Sequence, residues 1–181
     1  MKNLKLQAVL ILSMLITTIS MAQNKVVGGA EMYPTKTIVE NAINSNDHTT
    51  LVAAVKAAEL VETLSSEGPF TVFAPTNQAF ADLPEGTVET LLKPENKEQL
   101  QAVLTYHVVA GKFSAEDVVA AIKGNYGEAE LETVGGGTLT ATLDGDSVKI
   151  TDEKGNVATV TVADVNQSNG VIHVIDSVLL Q

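Results

Sequence analysis

The chain has 181 residues, with 22 acidic side chains against 11 basic ones and a formal net charge of −11. All 11 cations are lysine, so the sequence lacks the arginine-rich basic patches that nucleic acid and anionic lipid select. Cysteine is absent too. No disulfide can staple the fold, and its stability must come from packing and backbone pairing.

The chain opens like a secretory signal. Lys2 and Lys5 precede an apolar stretch from Leu6 to Ile19, followed by Ser20, Met21 and Ala22, and cleavage is expected after Ala22. The apolar run is shorter than the roughly 20 residues that a bilayer span needs, and no later run approaches that length. The expectation is therefore a secreted protein of the periplasm, cell surface or extracellular space, with no membrane span after cleavage; an uncleaved N-terminal anchor is the alternative. Residues 23–33, with "GGA" inside them, read as a flexible segment. Residues 34–181 have the length of one domain.

Helical spacing comes first. Ile38, Val39, Ala42 and Ile43 share one face, "NSND" breaks the run, and Asp47 is placed to cap a second helix with the stripe Leu51, Val52, Val55 and Ala58. In "GPFTVFAPT" the period changes to two, with Phe70 and Val72 opposite Thr71 and Phe73, and Pro75 ends the strand. Helices return in "NQAFADL", "TVETLL" and "NKEQLQAVLTYHV", the last with Asn96 and Gln99 spaced as a capping box, and in "SAEDVVAAI", with Ser114 and Asp117 spaced likewise. After "GNYG" a β-meander follows through Leu139, Ala141 and Leu143, then Val148 and Ile150, then "VATVTVADV". Helices early and strands late indicate an α+β architecture, because a doubly wound sheet would alternate them throughout.

Motifs for chemistry are scarce. No G-x-S-x-G elbow is present, and Ser168 is carried away from His173 if the intervening residues form a turn and a strand. "DGDSVKITDE" gathers Asp144, Asp146, Asp152 and Glu153 but lacks the glycine of a calcium loop, so hairpin-turn chemistry explains these residues better. No metal site and no cofactor is expected. Asn166, Gln167 and Ser168 form a glycosylation sequon to which no function is attached.

The three histidines differ. His48 follows Asp47 at a helix start and reads as exposed. His107 ends the stripe of Val103 and Leu104. His173 lies in "NGVIHVID", whose two faces are both apolar, as in a strand covered on both sides. Burial would make His107 and His173 neutral and hydrogen-bonded, since an unpaired buried polar group costs about 1–3 kcal/mol.

"FTVFAPTNQAF" at 70–80, "TYHVVAG" at 105–111 and "NGVIHVIDSVLL" at 169–180 together resemble the two signatures and the Tyr-His motif of fasciclin domains, in order and suitably spaced. Phe70, Thr71, Phe73, Ala74, Pro75, Thr76, Asn77 and Phe80 match the first signature, Tyr106 and His107 the pair, and Asn169, Gly170, His173, Ile175 and Asp176 the second. The resemblance spans about residues 34–181. It implies a twisted β-wedge with a cluster of helices and a non-catalytic module for adhesion, binding an extracellular or cell-surface protein or matrix component. In animal members the Tyr-His region and an Asp-Ile element before the second signature are associated with integrin recognition. Tyr106, Asp164 and Val165 are the corresponding candidate contacts. The alternatives are a periplasmic or extracellular enzyme, or a small-ligand carrier, using His107 or His173.

Overall fold

A computed structural model describes residues 24–181; the signal segment expected over 1–22 lies outside the described residues. The segment read as flexible is instead held from Lys25 onward. Strands β1 (Val26–Val27) and β2 (Ala30–Glu31) form a hairpin, and Val27 and Met32 are buried in the core. Burial of these two side chains and the bonds from Met32 N to Lys25 O and from Asn46 N to Gly28 O hold a segment whose glycines suggested a linker.

Six short helices alternate with one strand in the first half. They are α1 (Ile38–Ala42), α2 (Thr49–Ala57), α3 (Val61–Ser65), then strand β3 (Phe70–Pro75), then α4 (Asn77–Ala81), α5 (Thr87–Leu91) and α6 (Lys97–Tyr106). Strand β4 (Val108–Ala110) and helix α7 (Ala115–Gly124) follow. The second half is β5 (Glu128–Glu132), β6 (Thr138–Asp144), β7 (Ser147–Thr151), β8 (Val157–Gln167) and β9 (Gly170–Ile175). This is the α+β arrangement expected from the sequence.

Caps divide into those the sequence marked and those it did not. Ser114 and Asp117 form the expected capping box on α7, and Thr37 with Glu40 forms another on α1. Asp47 does not cap α2, which is preceded by a 3-10 turn over Asn46–His48. The donors at its start are met from another helix: Asn77 Oδ1 accepts from Thr50 N at 2.9 Å. Asn96 likewise makes no cap for α6; its amide reaches back to Thr90 O at 2.7 Å. Ile43, counted with the buried face of α1, is half-exposed beyond the last turn.

Seven strands form one sheet in the order β4-β3-β9-β8-β7-β6-β5. β3 and β9 run parallel at its centre, and every other neighbouring pair is antiparallel. The first and last strands of this order meet again through one bridge, Val109↔Thr133, so the sheet curls into a nearly closed wedge.

Two cores lie on opposite faces of β3 and β9. Val72, Ala74, Ile172 and Val174 pack against the helices α1 to α6. Phe73 and Ile175 face the other way, into a core with Val118 and Ile122 of α7 and Leu139, Ala141, Ile150 and Ala158 of the meander. Coverage on both faces is why these two strands are apolar but for Thr71 and His173, which are buried with them. Among the described residues no helix is long and apolar enough to cross a membrane.

Candidate functional site

The signature residues converge on the parallel pair at the centre of the sheet. In its register Phe70 lies opposite Gly170 and Phe73 opposite His173. The strands approach so closely at Gly170 that a Cβ there would stand 2.1 Å from Phe70 O, which is inside any allowed contact. Three residues on, the rings of Phe73 and His173 stack with centroids 5.7 Å apart. Dispersion between such stacked rings orients the imidazole before any hydrogen bond is counted.

Both ring nitrogens of His173 are occupied. Nε2 donates to Phe113 O at 2.9 Å, and Nδ1 accepts from Asp164 N at 3.3 Å. His107 has the opposite tautomer: Nδ1 donates to Val103 O at 2.8 Å, and Nε2 accepts from Leu179 N at 3.0 Å. One nitrogen of each ring donates and the other accepts, so each histidine is held neutral. Burial holds His173 below the ordinary imidazole range. Burial pushes His107 down further, to about 4, against the Val103 carbonyl and Asp152, which favour protonation.

His48 departs from its expected exposure and is buried. Nδ1 lies 2.8 Å from Ser45 Oγ, while Nε2 has no hydrogen-bond partner. Burial lowers its pKa, against the Ala74 carbonyl and Asp47, which favour the protonated ring. The sequence misled because the 3-10 turn rotates His48 inward, where an α-helical first turn would have faced water.

The other signature polar groups connect distant segments. Asn169 accepts at Oδ1 from Ile38 N at 3.0 Å and donates through Nδ2 to Leu64 O at 2.8 Å and Ser66 O at 2.9 Å. Asn77 donates to Asn46 O at 2.8 Å in addition to capping α2. Thr71 Oγ1 donates to Gly111 O and accepts from Phe113 N at 2.8 and 2.9 Å, fixing the turn that leads to α7. Thr76 caps α4 through Ala79 N, Pro75 and Phe80 are buried, and Asp176 accepts from Thr159 N at 2.7 Å.

The three candidate contacts separate. Tyr106 is fully buried, its hydroxyl donating to Thr138 O and accepting from Glu153 N, both at 3.1 Å. Val165 is buried in the helix-side core. Both side chains are closed off from the surface in this fold, Tyr106 at the end of α6 and Val165 within β8. Asp164 alone is half-exposed. It sits in a bulge of β8, where the register with β9 shifts between Val162 and Val165, at φ 53°. Its carboxylate accepts from Ala115 N at 2.7 Å at the start of α7, and its neighbour Ala163 accepts at its carbonyl from Lys25 Nζ. Bulges re-aim side chains and keep backbone exposed, and this one places Asp164 at the surface directly above His173.

Three further polar residues hold this framework, and the sequence did not reveal their partners. Asp152 accepts from Lys154 N, Asn156 N, Asn156 Nδ2 and Leu180 N, all within 3.0 Å, so it shapes a turn and pins the C-terminus. Asn41 and Gln167 hydrogen-bond inside the core, and Asn41 also holds both the N and O of Tyr33. Only the turn position of Asp152, in "TDEKGN", hinted at its use.

Ser168 is exposed in the turn before β9 and His173 is buried, so they do not form a nucleophile and base. Asp144 pairs with Lys149 at 2.7 Å across its hairpin, and among the described residues no three acidic or histidine side chains are grouped to hold a metal. Two apolar cavities lie under α1 and α2, of about 40 and 30 Å³, the first bordered by His107 and the second by His48. Each is well below the roughly 150 Å³ that accommodates a benzene-sized molecule.

Comparison with known proteins agrees with this geometry. Residues 46–181 match the fasciclin domain. The chain is 51% identical over 169 residues to the Synechocystis protein sll1483, covering 90% of this chain and 87% of the relative. It is 40% identical over 144 residues to the immunogenic protein MPT70 of Mycobacterium tuberculosis, with 77% of this chain and 66% of the relative covered. Human periostin is 32% identical over 145 residues, which are 80% of this chain but 16% of periostin. Among solved structures, a FAS1 domain pair from the insect cell adhesion molecule fasciclin I superposes with a TM-score of 0.72 at 19% identity, covering 81% of this chain and 51% of that one. At that identity the likeness concerns the fold.

Proposed function

The chain belongs to the fasciclin domain family, and on that premise we propose that it is a secreted, non-catalytic module that binds an extracellular or cell-surface protein or a matrix component. The observation that carries this reading is the family match together with the fold shared with a domain of an insect cell adhesion molecule. The histidines support it. His107 and His173 spend both ring nitrogens on the protein's own backbone, leaving neither of these two rings a free base or ligand atom. The lysine-led, apolar N-terminus supports export, with cleavage after Ala22.

Of the three contact candidates, Asp164 is the one retained, with the bulge around it as the contact surface. Removing the gene is expected to reduce attachment or aggregation of the producing cells, and adding back the native chain to restore it. Unchanged attachment on several surfaces would contradict the proposal. Attachment that is restored by the native chain but not by Asp164→Lys, at equal secreted levels, would assign the bulge to the contact.

A further inference from the structure

The sheet closes at only one point of its seam. β4 and β5 meet at the Val109↔Thr133 bridge, where Val134 N donates to Val108 O at 2.7 Å, and then they part. Gly111, at φ 109°, turns the chain away from β5. A cleft of about 640 Å³ opens beyond it, lined by Val109 and Ala110 of β4, by Glu130 and Glu132 of β5, and by Phe113 and the Asp117–Ala121 side of α7.

The alternation of β5 fixes what this cleft presents. Thr133 N donates to Gly137 O on the β6 side, whereas Val134 N donates toward β4. Peptide groups along an antiparallel strand alternate sides, so the even-numbered residues turn theirs to the seam. Glu128 N is taken by Asn125 O at 3.3 Å. The Glu128 carbonyl and both the N–H and carbonyl of Glu130 therefore face the opening, on a strand paired on its other side alone. Side chains alternate with them: Ala129 and Leu131 are buried, while Glu128, Glu130 and Glu132 stand exposed in a row.

Natural edge strands are commonly blunted by proline, a bulge or charge; β5 has neither proline nor bulge, and its charge is all negative, so it repels an acidic strand and admits a basic one. Just before it, Tyr126 is fully exposed and held at φ 56°, a conformation disfavoured for a residue with a Cβ. Asp117 adds a third carboxylate to the cleft lining, against the one ammonium of Lys112.

We infer that the β4–β5 seam accepts an extended protein segment as an added strand, one that alternates basic residues facing the glutamate row with apolar residues facing Phe113 and Val118. A second copy of this chain is the wrong occupant, because its own edge would set glutamates against glutamates. The inference deepens the binding-module reading and rests on it for its biological meaning.

The test uses the full secreted chain and three capped hexapeptides: alternating lysine and valine, the same six residues as a lysine block followed by a valine block, and alternating glutamate and valine. The alternating lysine peptide is expected to bind at least tenfold more tightly than the other two and to slow hydrogen exchange at Glu130 N–H. E130K/E132K, which changes two exposed side chains, is expected to weaken it about tenfold through loss of cross-strand charge pairs. Equal binding of the block peptide without protection of Glu130, or no binding by any peptide at millimolar concentration, would overturn the inference. Peptide failure with an attachment defect in the gene deletion would sink the seam alone; peptide binding with normal attachment would sink the module reading instead.

Discussion

Tyr106 shows how a conspicuous residue is used inside the molecule. Its hydroxyl joins α6 to the β5–β6 connection and to the turn after β7, and burial raises its pKa, which keeps it a donor. Tyr106→Phe would leave the Glu153 N–H and Thr138 carbonyl without that partner and is expected to cost about 1–3 kcal/mol, measurable by urea unfolding. Gly170→Ala is expected to be worse, about 3 kcal/mol or more, because its Cβ would meet Phe70 O at 2.1 Å. The second signature made Gly170 visible in the sequence, but nothing there revealed that a neighbouring strand's backbone is what requires it. His48 was misread for a related reason: local pattern cannot foresee a 3-10 turn that rotates one side chain inward.

At the scale of elements, the chain is fastened by side chains reaching across large sequence separations. Asn169 ties the start of α1 to the end of α3, and its removal as Asn169→Ala is expected to cost about 3 kcal/mol by stranding three backbone groups. The β8 bulge makes a different connection, linking Asp164 to both His173 and α7. Asp164→Asn keeps an acceptor for Ala115 N and is expected to be near neutral, whereas Asp164→Ala should lose about 1 kcal/mol. Thermal denaturation of the pair separates the cap from the charge. Strands β3 and β9 were legible because two-sided burial makes both of their faces largely apolar. The caps of α2 and α6 were not, since Asn77 supplies the first from another helix and the 3-10 turn over Pro94–Asn96 displaces the second.

For the whole molecule, the buried imidazoles couple stability to pH. His107 titrates at about 4 when folded and near 6.5 when unfolded, and His48 and His173 are lowered in the same direction. Between those values the unfolded chain binds more protons than the folded one, so stability rises with pH. It should be fully present above about pH 6.5 and fall as pH drops toward 4, with His107 alone contributing about 3 kcal/mol. Chemical denaturation at stepped pH checks the slope. The fold's overall layout followed from helices preceding strands, but the curl of the sheet did not, because it depends on the single bridge between residues 109 and 133.

The central claim is that this is a binding module whose histidines serve its interior. The most direct measurement is nitrogen-15 NMR of the imidazole rings of the folded protein across pH 3 to 8. His107 should stay neutral through pH 5, protonated at Nδ1, and take up its second proton only near 4, while His173, protonated at Nε2, should titrate below the ordinary imidazole range. A ring that titrates near 6.5 or exchanges between tautomers would contradict the account and return that histidine to the list of candidate catalytic bases.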